Sequence, residues 1–437
     1  IRSLMEDYIH LHVHTNYSIL DGQSKVTRLV DKAIADGMKG MAITDHGVMF
    51  GIKEFSDYCA KVNKERKKNG EEPFKPIFGC EMYVARRTMH DKDKSMHDNS
   101  GYHLIVLAKN YNGYKNLIKL VSHAWVDGYY YRPRTDRAEL EKYHEDLIVC
   151  SACIAGEIPS KIIHGDIDGA REACEWYHRV FGDDFYLELQ RHEVKDPTIL
   201  ANREAFLLQQ KANKVLLQFA KEYGIKVVCT NDCHFEDKET AEAHDHLLCL
   251  ATNEDLDDPK RMRYSKQEWF KSRQEMNDVF SDIPEALTNT LEVLDKVEIY
   301  SIDHGPIMPF FPIPESFGTE EEWEKKFTEE DLYKEFTTDE NGENPLSPEE
   351  GQKVIERLGG YEKIYRIKFE ADYLAKLAYD GAKKLYGDPL SDEVKSHIRF
   401  ELHVMKTMGF PGYFLIVQDF INAARQELGV MVGPVSY

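Results

Sequence analysis

Nine side chains of the kinds that hold metal ions recur between residues 12 and 234 of this chain: His12, His14, Asp21, His46, Glu81, His103, Cys153, Asp232 and His234. Imidazole, carboxylate and thiolate together suit borderline and hard divalent cations such as Zn, Mn or Fe, and the set is too rich in nitrogen for a calcium cage. Nine donors exceed what one tetrahedral ion uses. With carboxylates shared as bridges they would hold about two to three ions, an arrangement that activates water and clamps the oxygens of a phosphoester. Metal-assisted hydrolysis is the chemistry this set predicts, with Asp232, His234, Glu81 and His12 acting through bound ion and water.

An isolated His-x-His or Asp-His is more often a surface or capped polar residue than a ligand, so position has to carry the argument. In His-Leu-His-Val-His-Thr at 10–15 the alternation puts His10, His12 and His14 on one face of a strand and Leu11 and Val13 on the other. Strands are predicted at residues 8–13, 41–44, 77–84, 103–108, 147–151, 185–190 and 226–230, with helical periodicity between them. Val26, Leu29, Val30, Ala33 and Ile34 form one such stripe, stopped at Gly37. Residues around Leu117 to Val121, 170–180 and 205–223 form others. This alternation predicts a parallel β/α architecture, closed or nearly closed into a barrel. Asp45-His46, Ser-Ala-Cys153 and Asn-Asp232-Cys-His234 then follow strands at their carboxyl ends, where β/α barrels place their chemistry. His103 fits less neatly, because it opens its apolar run. His10, farther from the carboxyl end than His12, is expected to support a ligand rather than be one, and His244 and His246 are expected to be solvated on a helix.

At 437 residues about two to three domains are expected. Domain one is predicted at 1–297, with the metal site. Near residue 298 the character changes: Pro306, Pro309, Pro312 and Pro314 crowd together, acidic helices are expected at 320–330 and 338–350, and amphipathic ones at 364–385 and 394–408. A further helix leads to a strand-like end at 430–434. Apolar runs are too short for a membrane helix and the first residues do not read as a signal peptide, so a cytoplasmic location is expected. The eight scattered cysteines are expected to be reduced, and Cys150-x-x-Cys153 lacks the helix start that a redox pair wants.

A formal charge of −21 argues against holding duplex DNA by phosphate neutralisation, so any nucleic-acid contact must be local. Tyr129-Tyr-Tyr131-Arg132-Pro-Arg134 interleaves aromatics with arginines as single-strand stacking platforms do. The basic run at 61–68 reads instead as a solvated helix face.

These motifs resemble a known family. His12-Val-His14-Thr, Thr44-Asp-His46-Gly, Gly79-Cys-Glu81-Met-Tyr-Val, Gly101-Tyr-His103-Leu, Ser151-Ala-Cys153 and Thr230-Asn-Asp232-Cys-His234 are similar to the motifs of the polymerase and histidinol phosphatase (PHP) domain. More narrowly, Tyr17-Ser-Ile-Leu-Asp21-Gly, residues 127–134 and residues 408–419 resemble the alpha-subunit family of bacterial DNA polymerase III. The resemblance implies an α/β fold: a distorted seven-stranded (β/α) PHP barrel, followed by a mainly helical region and the start of a polymerase palm at 298–437. It implies a barrel binding up to three ions, Zn or Mn, in some members a 3′–5′ exonuclease that proofreads, with Cys153 where phosphatase relatives have histidine. It also implies DNA, sliding clamp and clamp loader as partners of the parent polymerase, and Mg at palm aspartates. Those aspartates are absent here: the sequence reads Pro434-Val-Ser-Tyr437 and stops, which leaves open whether residues are missing between Pro434 and Val435. Nucleotidyl transfer is therefore expected of the parent and not of this fragment. Two other readings compete with the exonuclease: a structural metal site that supports the polymerase, and a small-molecule phosphatase, which leaves everything after residue 297 unexplained.

Overall fold

The computed structural model describes residues 5–304 and 309–432. The chain divides into two compact units, Ile1–Asp303 and His304–Tyr437. No helix among the described residues is long and apolar enough to cross a membrane.

In the first unit, seven strands form one sheet: β1 (Gly40–Ile43), β2 (Lys75–Ala85), β3 (Gly101–Ala108), β4 (Arg134–Thr135), β5 (Leu147–Cys150), β6 (Phe185–Gln190) and β7 (Val227–Thr230). Their order is β1-β2-β3-β5-β6-β7, with the two-residue β4 beside β2. Ten helices accompany them: α1 (Val26–Ala35), α2 (Ile52–Lys68), α3 (Tyr111–Val126), α4 (Arg137–Lys142), α5 (Glu157–Ile163), α6 (Ile167–Phe181), α7 (Glu204–Tyr223), α8 (Ala241–Thr252), α9 (Arg273–Val279) and α10 (Pro284–Lys296). In α1 the buried Val26, Leu29, Val30 and Ala33 fall at helical spacing, and the chain leaves through Gly37 at φ +78°, the left-handed exit that glycine makes without strain. Strands β1, β5, β6 and β7 are buried along their whole length, as expected of a sheet covered on both faces.

The sheet is mixed, which corrects the expected all-parallel order. β3 runs antiparallel to both β2 and β5, while β1–β2, β5–β6 and β6–β7 are parallel. A parallel return needs a long crossover, usually helical, and residues 86–100 between β2 and β3 contain only the short turn Lys94–Met96. This reversal accounts for His103. Its amino-terminal place on an antiparallel strand lies at the same edge as the carboxyl end of β2, with His103 opposite Tyr83.

The strand expected at 8–13 is a second correction, since only Val13 makes a bridge. The segment nevertheless links the two edges of the sheet. His10 and Val13 carbonyl oxygens accept from the amides of Ala42 and Thr44, both at 2.8 Å, while His12 O accepts from Cys233 N and His14 N donates to Cys233 O. From His10 to Val13 is three residues and from Ala42 to Thr44 two, so the register slips as at a bulge and no regular ladder forms. Leu11 and Val13 join the core all the same.

The second unit is helical: α11 (Glu320–Lys326), α12 (Glu329–Thr337), α13 (Pro348–Leu358), α14 (Tyr361–Tyr386), α15 (Asp392–Thr407) and α16 (Pro411–Gln426). Thr319, Thr328 and Ser347 open α11, α12 and α13 with reciprocal capping boxes. A helix was expected at 338–350, but residues 339–346 form a turn. The Asp339 carboxylate accepts from the amides of Asn341 and Glu343, and Gly342 sits at φ +77°. Leu332, Phe336, Ile355, Leu358 and Ile364 form this unit's core. Of the strand-like end expected at 430–434, residues 430–432 form no strand and the rest lies outside the described residues.

Candidate metal centre

All nine ligand-type side chains meet at one edge of the sheet. His12 and His14 come from the linking segment, Asp21 from the turn before α1, His46 from the turn after β1, Glu81 from β2, His103 from β3, Cys153 from the loop after β5, and Asp232 and His234 from the loop after β7. The contacts close a ring. Glu81 Oε1 lies 2.8 Å from His103 Nδ1 and Glu81 Oε2 2.6 Å from His46 Nδ1. His46 Nε2 lies 2.8 Å from Asp21 Oδ2, which is 3.6 Å from His234 Nε2. Asp232 Oδ1 follows, 3.6 Å from His234 Nδ1, 3.0 Å from His12 Nε2 and 3.3 Å from His14 Nε2. Cys153 Sγ sits 3.7 Å from His103 Nδ1.

The backbone is bent to make this possible. Ala152 and Asp232 hold φ of +61° and +48°, conformations that side-chain-bearing residues seldom adopt and that concentrate at functional sites. Gly47, at φ +63°, has no such choice: a Cβ there would approach Pro133 Cγ to 2.8 Å.

Partners behind the ring orient its histidines. His12 Nδ1 donates to Glu188 Oε1 at 2.7 Å, and Gln190 Nε2 and Thr230 Oγ1 donate to the same oxygen. His14 Nδ1 donates to Ser18 Oγ at 2.9 Å, which in turn donates to Asp45 Oδ1. Both imidazoles therefore turn Nε2 toward the ring's centre. Asp45 is not in the ring; its carboxylate is occupied by Thr15 and Ser18.

Burial would lower the His12 and His46 pKa values, but neighbouring anions, Asp232, Glu188 and Glu81 for His12 and Glu81 for His46, push both well above the ordinary value. His234, similarly buried, is raised to about 9 by Asp21 and Asp232. Burial opposes ionisation of Glu81, Asp232 and Asp21, yet the surrounding histidines hold all three carboxyls below the usual range. His14 moves the other way, lowered by burial and by its cationic neighbours His46 and His234, against whose rings it stacks at 4.1 and 4.2 Å. Burial, Glu81 and Asp232 raise the Cys153 thiol well above its normal value.

Around the ring, other expectations part company. Tyr129, Tyr131 and Arg132 line a cleft of about 430 Å³ together with Asp21 and His46. Arg134 does not: it is wholly buried, its guanidinium donating to the carbonyl oxygens of Gly128, Asp98, Met89 and Asp91, so it braces a loop and presents no surface to DNA. His10, expected to support a ligand, donates from Nε2 to Lys271 O at 2.7 Å, and burial lowers its pKa to about 3. His244, expected in solvent, is buried; α8 packs it over the turn at Asp21, whose backbone oxygen accepts from His244 Nε2 at 2.8 Å. His246 stays exposed. Glu188 and Tyr264, whose hydroxyl lies 3.3 Å from Asp21 Oδ2, were not foreseen. The signal for Glu188 was a carboxylate inside Phe-Tyr-Leu-Glu-Leu-Gln, a strand buried throughout; for Tyr264 there was none. All eight cysteines are free thiols.

Residues 10–192 match the PHP domain family, and residues 372–435 match the family described as bacterial DNA polymerase III alpha NTPase domain. The chain is 37% identical over 427 residues to the DNA polymerase III subunit alpha of Borreliella burgdorferi, covering 97% of this chain and 31% of that protein. It is 32% identical to the Treponema pallidum subunit, covering 98% and 30%, and 34% identical to the Thermus aquaticus subunit, covering 98% and 34%. The chain thus spans about a third of the length of the curated relatives it matches.

Proposed function

Because the chain belongs to the family of bacterial DNA polymerase III alpha subunits, we propose that its first unit is a metal-dependent phosphodiesterase that trims single-stranded 3′ ends for proofreading. The observation that carries this reading is a set of buried polar atoms that crowd against one another, His46 Nδ1 and Glu81 Oε2 at 2.6 Å, without hydrogen-bond geometry to any described residue: Asp21 Oδ1, His46 Nδ1, Glu81 Oε2, Asp232 Oδ1 and His234 Nε2. Buried polar atoms are rarely left unpaired, and here five belong to one ring of ligand-type residues. His12, His14 and Asp232 would hold one ion, His46, Glu81 and His103 a second with Cys153 beside it, and His14, His46 and His234 offer a third group within 4.8 Å. The donor set suits Zn or Mn, two to three ions in all.

Bound divalent ions supply Lewis-acid stabilisation of charge on the phosphoryl group and an activated water. The chain's own residues do the rest. Asp21, Glu81 and Asp232, kept ionised by their histidines, balance the cations' charge. Glu188 and Ser18 keep His12 and His14 aimed inward. The wall made by Tyr129, Tyr131 and Arg132 leads the strand's end to Asp21 and His46. In the parent polymerase, DNA synthesis would depend on Mg at palm aspartates beyond this sequence, with DNA, sliding clamp and clamp loader as partners and the cytoplasm as its place of work.

The test is trimming of a labelled single-stranded oligonucleotide in Zn and in Mn, with elemental analysis of the purified chain. Alanine at Asp232 and His234 together should abolish metal-dependent trimming. Trimming that survives both changes overturns the proposal, and a chelator-induced fall in melting temperature with no turnover of any phosphoester would make the centre structural instead.

A further inference from the structure

Beside the metal centre, the cleft holds an exposed aromatic pair. Trp125, near the end of α3, stacks on Tyr129 with ring centres 5.5 Å apart and planes 18° from parallel. The two are 44% and 48% exposed. Trp125 Nε1 donates to Gly47 O at 2.8 Å, so its polar end is satisfied and tied to the residue after His46. What remains open is apolar ring surface. Leu20 and Phe50 extend that surface, and Arg132, over the Tyr83 ring at 5.7 Å, adds a cation at the wall. Leu20 and Tyr131 both hold left-handed backbone, at φ +63° and +64°, conformations that side-chain-bearing residues seldom adopt.

We propose that this cleft is a subsite for one unpaired nucleobase at a DNA 3′ end, stacked against the Trp125–Tyr129 pair while its phosphodiester reaches the ring of ligands. This rests on the phosphodiesterase reading above. Base stacking on aromatic side chains tolerates any sequence because every base has a π-face, which suits a cleft walled by Trp125, Tyr129 and Tyr131 with the Arg132 guanidinium beside them. A volume of about 430 Å³ lies toward the small end of ligand sites, roughly 300–1,000 Å³, so a duplex end cannot enter with its last pair intact. A terminal base must first unpair, which is easiest when it is mismatched or already single-stranded. The subsite thereby selects frayed ends without reading sequence.

The 437-residue chain carries the test. Single-stranded oligothymidylate should quench its tryptophan emission, and Trp125→Leu should remove most of that quenching. On a single-stranded substrate Trp125→Ala should raise KM about tenfold or more with kcat within about twofold, and Trp125→Phe should restore KM. Wild-type protein acting on an oligonucleotide with an abasic 3′ terminus should show the same rise in KM, and Trp125→Ala should add nothing to it. Unchanged KM, or effects of the two changes that multiply, overturns the subsite. If the wild-type chain trims nothing in any metal, the phosphodiesterase reading falls by itself, and quenching that survives Trp125→Leu overturns the subsite independently.

Discussion

Glu188→Gln is the sharpest probe of how the ring is held. Glu188 lies under His12, fully buried in β6, and its Oε1 accepts from His12 Nδ1 at 2.7 Å, Gln190 Nε2 at 3.0 Å and Thr230 Oγ1 at 2.5 Å. Glutamine keeps the volume and one acceptor oxygen but removes the negative charge, so a charge-assisted bond becomes a neutral one of roughly half the strength. Losing a partner behind a ligand histidine typically costs 10–100-fold in metal affinity. With the carbonyl acceptor retained, the expected loss is near the lower end, about tenfold or ~1.4 kcal/mol. Glu188 also favours a proton on His12, which partly offsets the loss near neutral pH. Affinity for Zn should therefore be measured by competition with a chromophoric chelator at pH 7 and again at pH 8.5, where the proton competes less and the deficit should be larger. If the variant binds Zn as tightly as wild type at both values, the bond does not hold His12 for an ion and the account of the ring's support is wrong.

In the metal-free chain the raised histidine pKa values stabilise the fold fully below about 6.5 and progressively less as pH rises to about 9, where His234 gives up its proton. Metal binding displaces those protons, so its affinity rises over the same window; melting temperature in chelator should fall from pH 6.5 to 9 while the gap to Mn-loaded protein widens, and a gap that narrows would contradict this. Arg134→Met should destabilise the first unit by about 3 kcal/mol or more, because up to four carbonyl oxygens lose their donor at about 1–3 kcal/mol each where water cannot replace it. A urea midpoint equal to wild type would show that the buried guanidinium braces nothing.

Much of the candidate site could be read along the chain because its ligand-type side chains sit next to strands and turns that local patterns reveal. Thr44-Asp-His46-Gly ends an apolar run, and Asn-Asp232-Cys-His234 ends another, so side-chain type and place came together in a few residues. Glu188 escaped because it ligates nothing: its meaning lies in a 2.7 Å bond to His12, 176 positions away. His244 escaped for the opposite reason, as a histidine on a helix looks solvated until another element is packed over it. The failure at Arg134 is similar, since Arg132 and Arg134 are equivalent in sequence and only the fold exposes one and buries the other.

The amino-acid sequence by itself determined which donor atoms this protein carries and in what order. The types of nine side chains, and their spacing against apolar runs, follow from local rules of strand, turn and metal preference that need no knowledge of the rest of the chain. Tertiary structure decided how those residues become a centre. A short link between β2 and β3 forces the reversal that carries His103 to the others' edge, and a register slip at residues 10–13 trades a regular strand for a bridge across the sheet. The pKa values, the unpaired atoms and the aromatic cleft all arise from charges and rings brought together from distant positions, and such proximity depends on the whole fold.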